Sequence, residues 1–166
     1  MKHSGGCLCG KVRFEVEGEP SMVGLCHCRY CQLRTGSAFG ISVYFPDTKI
    51  NVITGEFDTY SYVTASGGGV EVERCQICGT SLFWELKIEK LKGFKGTAGG
   101  AYDPPTFWYT IEHEVFARTK ANFCTIDSPK SYQSSFNPSS LKEEEERLIF
   151  DGLSLRLFTL KVKALA

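Results

Sequence analysis

The stretch GGCLCGKVRFEVEGEP (residues 5–20) joins a closely spaced cysteine pair to a strand signal. Residues 11–17 alternate charged and apolar side chains at every step, which is the period-two pattern of a half-buried β-strand. Val12, Phe14 and Val16 are predicted to face the core, and the turn residues 18–20 end the strand. A β-strand is therefore expected directly after the first cysteine pair.

Further strand candidates follow along the chain, each short and rich in β-branched or aromatic residues. They are separated by turn residues such as those at positions 46–47 and by the glycine run at 67–69, which we interpret as a hairpin end. This spacing favours antiparallel meanders over βαβ units and predicts a mainly β fold of several small antiparallel sheets. The candidate strands are residues 40–45, 50–54, 57–63, 70–74, 81–86 and 106–111.

Composition limits the classes of protein that this chain can represent. Its 166 residues suffice for one domain with a real core, and 42% of them are apolar. Lys and Arg number 19, as do Asp and Glu, so the net charge is zero. A dedicated binder of nucleic acid or of an anionic membrane would normally carry a basic excess, so neither partner is expected. With no signal-peptide core and no membrane-length apolar run, we expect a cytoplasmic protein whose thiols stay reduced.

Cysteines are the outstanding feature of the composition, because seven of the eight lie in three clusters. Two thiolates that are one or two residues apart can converge on one tetrahedral metal ion. Gly79 follows the third cluster and allows the chain to fold back into a knuckle whose N–H groups point at sulfur. The clusters are Cys7 with Cys9, then Cys26, Cys28 and Cys31, then Cys75 with Cys78.

Seven thiols divide naturally into a closed site with four ligands and an open site with three. The simplest division joins the first and third clusters into the closed site and leaves the middle cluster open, although spacing alone allows the pairing to be exchanged. Alternatively both sites are closed, with His27 or a distant group as the last ligand; in a strand, His27 would face away from Cys26 and Cys28. Four thiolates also suit iron. Cys124 stands alone and is interpreted as a packed core thiol.

The flanking residues of all three clusters resemble one known family. Residues 5–14 are similar to the opening of the glutathione-dependent formaldehyde-activating enzymes, and residues 26–39 and 74–83 are similar to their second and third motifs. The resemblance covers roughly residues 4 to 125. It implies a β-tent fold with two zinc sites, a structural one at the four-cysteine set and a catalytic one at Cys26, Cys28 and Cys31.

The resemblance also implies an activity, the addition of glutathione to formaldehyde or a similar small electrophile by a carbon–sulfur lyase type of enzyme. Glutathione carries two carboxylates, for which Arg29 and Arg34 would supply cations and Gly36 and Ser37 backbone N–H groups. The alternative is a binding module in which zinc only stabilises the fold and the protein recruits a macromolecular partner.

The chain changes character near its C-terminus. Ser140 and Glu143 have the spacing of a capping box, and Gly152 is a plausible end, which predicts a short helix between them. Residues 153–165 mix leucines and lysines and fit either a strand or a second amphipathic helix. We therefore expect a zinc-binding domain at residues 1–138 and a helical extension at residues 139–166.

Overall fold

The computed structural model describes residues 1–64 and 67–135, and these residues form a mainly β fold, as predicted. The α-helix of this part of the chain, α1, spans Arg29–Thr35, and short 3-10 turns occupy Asp47–Lys49, Glu89–Leu91, Gly99–Ala101 and Ala117–Thr119. The strands are β1 (Lys2–Gly6), β2 (Arg13–Glu17), β3 (Met22–Cys26), β4 (Gly40–Pro46), β5 (Ile50–Thr54), β6 (Phe57–Val63), β7 (Gly69–Cys75), β8 (Ser81–Lys87), β9 (Phe94–Ala98), β10 (His113–Val115) and β11 (Lys130–Ser131).

Within the described residues the strands form two sheets. The smaller has the order β1-β2-β5 and the larger has the order β11-β10-β3-β4-β9-β8-β7-β6. Neighbouring strands are antiparallel except that β10 runs parallel to both β3 and β11. A meander pattern does not predict this parallel edge, because the chain leaves β3 at Cys26 and returns beside it only at His113.

The strand that follows the first cysteine pair is confirmed, with Val12, Phe14 and Val16 all 0% exposed. The predicted strands at 40–45, 50–54, 57–63, 70–74 and 81–86 are also present, with ends that differ by no more than one residue. The glycine run does end a hairpin, since β6 and β7 pair from Val63 opposite Gly69 onwards.

The strand predicted at residues 106–111 is wrong. Phe107 has a φ of +55°, which interrupts an extended backbone, and the segment forms a loop. Its aromatic residues serve packing instead: the rings of Trp108 and Tyr109 lie 5.6 and 6.3 Å from the ring of Tyr102. The aromatic composition that suggested a strand therefore reflects burial of a loop against the core.

The two faces of the large sheet carry separate apolar clusters. Successive residues of a strand point to opposite faces, so Phe83 belongs to the main core and the adjacent Trp84 to a second cluster on the other face. Cys7 and Cys75 are part of the main core. The second cluster contains Tyr44, Val70 and Val72 beside Trp84.

The helix predicted between Ser140 and Gly152, the tail and the extension at 139–166 lie outside the described residues. In the part of the chain that the structure describes, no helix is long and apolar enough to cross a membrane.

Candidate metal centres

Four cysteines from two distant parts of the chain meet beside the main core. The sulfur atoms of Cys7, Cys9, Cys75 and Cys78 all lie within 4.8 Å of one another. The Cys7 and Cys9 sulfurs are 3.4 Å apart, and those of Cys9 and Cys75 are 3.8 Å apart. Tetrahedral zinc with Zn–S bonds of about 2.3 Å separates its sulfur ligands by about 3.8 Å, so this four-cysteine cluster fits the ion.

Two tight turns give these cysteines their positions. Gly10 donates its N–H to the Cys7 carbonyl at 3.0 Å, and Gly79 donates to the Cys75 carbonyl at 2.8 Å. Both glycines have φ near +72°, a conformation that side chains disfavour. In the first turn the Val12 N–H donates to the Cys7 sulfur at 3.2 Å. Each cysteine pair is therefore a knuckle whose backbone turns back toward its own sulfur atoms.

The electrostatics of the four-cysteine cluster favour partial ionisation. The Thr80 hydroxyl lies 3.1 Å from the Cys78 sulfur and, with the Thr80 N–H, lowers the pKa of Cys78 to about 5. Burial opposes ionisation of Cys7, yet the Val12 N–H and neighbouring thiols lower its pKa. The Lys11 N–H favours the Cys9 thiolate, but burial and the nearby sulfurs raise the pKa of Cys9 to about 12. Thiolates this close repel one another, and a bound cation would relieve that repulsion.

The second group of sulfurs lies where the chain passes from a strand into a helix. Cys26 is the last residue of β3, Cys28 is the N-cap of α1, and Cys31 lies within α1. All three side chains are half-buried, and their sulfur atoms lie within 4.8 Å of one another. This three-cysteine cluster has the donor set of an open zinc site, which uses three protein ligands.

One thiol of the three-cysteine cluster ionises ahead of the others. Hydrogen bonds from Cys26 and Cys28 lower the pKa of Cys31 well below its usual value, with a further contribution from the Arg34 charge. Hydrogen bonds with Cys28 and with Cys31, together with burial, raise the pKa of Cys26. A hydrogen bond with Cys26 lowers the pKa of Cys28, but the Cys31 sulfur and burial outweigh it and raise the pKa of Cys28 to about 12. The three sulfurs therefore compete for ionisation, and a divalent cation would allow all of them to ionise.

Of the four residues expected to contact a substrate, Arg34 is the one that the structure brings to the sulfur atoms. Its Nη2 donates to the Cys31 sulfur at 3.7 Å, and its guanidinium carbon lies 3.5 Å from the centre of the Trp84 ring. Arg29 is exposed in the first turn of α1. Gly36, with φ of +63°, ends the helix, and the adjacent Ser37 is exposed in the turn that follows.

His27 lies between two of these cysteines but faces a different partner. It is 0% exposed, and its Nε2 is 3.0 Å from Oε1 of Glu114. Glu114, 2% exposed, also accepts hydrogen bonds from Lys120 Nζ at 3.0 Å and Ser131 Oγ at 2.6 Å. The sequence analysis did not identify Glu114, although an acidic residue at the inward position of the strand His113–Val115 is the signal that could have revealed it.

Aromatic rings line one side of the three-cysteine cluster. Tyr30 of α1 stacks on Tyr62 of β6 with ring centres 5.6 Å apart, and Tyr60 continues the stack at 5.9 Å from Tyr62. Tyr44 and Trp84 are buried on the same sheet face. The helix that carries Cys31 is therefore seated on an aromatic surface.

Comparisons with known proteins bear on this pair of clusters. No curated protein matches the chain significantly. A crystal structure of a Rhodobacter sphaeroides protein is similar at a TM-score of 0.48 and 21% sequence identity, covering 61% of this chain and 88% of that chain. Residues 2–119 match the family model described as "Glutathione-dependent formaldehyde-activating enzyme". Since the matched region includes both cysteine clusters and most of the chain, the protein belongs to the glutathione-dependent formaldehyde-activating enzyme family.

Proposed function

We propose that this protein is a zinc-dependent enzyme of the carbon–sulfur lyase type, which adds a thiol such as glutathione to formaldehyde or a similar small electrophile. The observation that carries the proposal is the pairing of a four-sulfur cluster with a separate three-sulfur cluster in one fold. Structural zinc sites use four protein ligands, whereas catalytic sites use three and keep one position for substrate.

The two clusters would have different roles, one structural and one catalytic. Cys7, Cys9, Cys75 and Cys78 would hold a structural zinc ion that fastens the two knuckles to the core. Cys26, Cys28 and Cys31 would hold a second zinc ion. Zinc at that position supplies a Lewis acid that lowers the pKa of an incoming thiol and keeps it as a thiolate near neutral pH.

The reaction itself is a simple addition. The thiol sulfur attacks the carbonyl carbon, a carbon–sulfur bond forms, and the carbonyl π electrons move to oxygen, which takes up the proton that the thiol released. For formaldehyde and glutathione the product is S-hydroxymethylglutathione. The contribution of the protein is to hold both reactants together, since proximity lowers the entropic cost of the step.

The residues around the three-cysteine cluster supply groups for binding the thiol. Arg29 is exposed and is the proposed partner of one glutathione carboxylate, with the backbone N–H groups of Gly36 and Ser37 as further donors. A carboxylate held by Arg34 would lie next to the cluster, because its Nη2 is beside Cys31. We place the enzyme in the cytoplasm, where thiols remain reduced, and the zero net charge gives no reason to add a nucleic-acid partner.

The test compares wild-type protein with Cys28→Ser and with Cys124→Ser, a matched change at the cysteine outside both clusters. We expect close to two zinc ions per wild-type chain, heat on titration with glutathione, and adduct formation by NMR above the uncatalysed rate. Cys28→Ser should keep the fold but lose one zinc ion and the rate enhancement, whereas Cys124→Ser should match wild type.

A wild-type protein that holds two zinc ions, yet neither binds glutathione nor accelerates adduct formation, would refute the proposal. That result would favour the zinc-stabilised binding module. A coloured protein that contains iron would instead refute the choice of metal.

A further inference from the structure

The proposed open site has an unbalanced charge. Three thiolates around a divalent zinc ion leave one net negative charge on the centre, and excess thiolate charge makes sulfur more nucleophilic and the metal a weaker Lewis acid. Arg34 brings the positive charge of its guanidinium to this cluster. Its Nη2 lies 3.7 Å from the Cys31 sulfur.

The guanidinium is held in place and is not a freely solvated group. The guanidinium carbon lies over the ring of Trp84, 3.5 Å from the ring centre. Trp84 is itself only 3% exposed, which makes it a rigid support. A Cβ built on Gly40, the first residue of β4, would lie 3.3 Å from Nη2, so the absence of a side chain there leaves the space that the guanidinium occupies.

We propose that Arg34 is a positioning residue that balances the charge of the three-cysteine metal centre. It keeps the zinc ion in the site and shields the Cys31 sulfur from alkylation by electrophiles such as those the site handles. The inference rests on the proposed function only in that Cys26, Cys28 and Cys31 must hold a divalent metal ion. Arginine suits this role better than lysine, because its planar fork can stack on a ring while it donates to sulfur.

The experiment uses zinc-loaded protein and three variants. Arg34→Gln removes the charge, Arg34→Lys keeps it, and Arg29→Gln is the matched control that removes an exposed charge from the same helix. The first readout is zinc release to a chromophoric chelator. The second is the rate at which iodoacetamide alkylates Cys31, followed by peptide mass spectrometry; there a carbon–sulfur bond forms and iodide leaves.

In Arg34→Gln we expect one zinc ion to be released at a chelator concentration about 10–100-fold lower than in wild type, the usual effect of removing a group that contacts a metal ligand. Cys31 should also be alkylated faster. Arg34→Lys should recover most of the retention, and Arg29→Gln should retain zinc like wild type even if glutathione binds it more weakly. The second zinc ion, in the four-cysteine cluster, should be unaffected in every variant.

Three outcomes would overturn the inference. In the first, Arg34→Gln retains both zinc ions and its Cys31 reactivity is unchanged, which leaves the proposed function standing. In the second, both zinc ions are lost together, which means that Arg34 only supports the fold. In the third, Arg34→Lys is as defective as Arg34→Gln, which means that charge is not what matters. Wild-type protein that binds a single zinc ion would refute the proposed function as well.

Discussion

Exchanging one cysteine for serine in each cluster tests the proposed division into a structural metal site and an open metal site. Cys78→Ser removes a ligand from the four-cysteine cluster, and Cys28→Ser removes one from the three-cysteine cluster. Both side chains are half-buried, so the two substitutions are matched in burial as well as in chemistry. We expect Cys78→Ser to lower the free energy of unfolding much more than Cys28→Ser does.

The difference follows from how much of the chain each cluster closes. Cys9 and Cys75 are 66 residues apart, whereas the second cluster lies within six consecutive residues. If each metal-bound cluster is treated as a cross-link that restricts the unfolded chain, the four-cysteine cluster stabilises the fold by about 4 kcal/mol and the three-cysteine cluster by about 2 kcal/mol. For a chain of this size each 1 kcal/mol shifts the melting temperature by about 2–4 °C. The melting temperature of Cys78→Ser should therefore lie about 8–16 °C below that of wild type, and the melting temperature of Cys28→Ser should fall by no more than about half of that amount.

The assay is thermal unfolding of zinc-loaded proteins by circular dichroism, with the zinc content of each sample measured in parallel and Cys124→Ser as the control. A strong chelator should bring wild type and Cys78→Ser to similar melting temperatures, because the stabilising cross-link is then absent from both. If Cys28→Ser is destabilised as much as Cys78→Ser, or more, the division into structural and open sites is wrong.

Three further changes test the surroundings of the clusters. Glu114→Ala should cost about 3–5 kcal/mol in urea unfolding, because it leaves buried hydrogen-bond donors unpaired. Burial raises the pKa of Glu114, but the hydrogen bonds from Ser131, Lys120 and His27 lower it further, so the pKa lies below its usual value. The ionised carboxylate should therefore contribute its full stabilisation above about pH 5, and this contribution should fade as the pH falls below about 4. A loss of stability in Glu114→Ala that is the same at every pH would contradict this. Gly5→Ala places a Cβ 2.5 Å from Cζ of Phe14 and 2.6 Å from the carbonyl oxygen of Ala101, so the backbone must shift and the free energy of unfolding should fall by about 1–3 kcal/mol; a variant as stable as wild type would contradict this. Gly96→Ala places a Cβ 2.4 Å from Nε1 of Trp84, so the tryptophan fluorescence should change and zinc release should become easier; unchanged spectra would show that the ring has room to move.

The sequence predicts most strands of this fold because their signals are local. The alternation around Phe14, the turn residues and the glycine run at 67–69 each act within a few residues, and the structure contains the corresponding strands and hairpin. Cysteine spacing is similarly local, which is why counting sulfurs suffices to propose a group of four and a group of three. The same two groups of sulfur atoms lie together in the structure.

The features that sequence analysis missed depend on distant partners. Strand β1 contains Gly5 and Gly6 and lacks alternation, yet it pairs along its full length with β2. The glycine at position 5 leaves the space into which the Phe14 ring packs, and this requirement comes from a residue on another strand. Helix α1 is only seven residues long, too short for a periodic pattern. The contact between His27 and Glu114 joins residues 87 positions apart, and although the acidic residue at an inward strand position indicates a buried partner, the local sequence does not identify that partner as His27.

The parallel edge formed by β10 beside β3 has a consequence for how the protein is made. All seven clustered thiols have been synthesised by residue 78, whereas β10, which pairs with β3 beside Cys26, is synthesised only from His113 onwards. During translation the thiols are therefore available to cations, or to oxidants, before the large sheet has its last strands. With zinc in both clusters, as proposed above, we expect the supply of zinc during translation, and not only after release, to affect how much correctly folded protein a cell obtains.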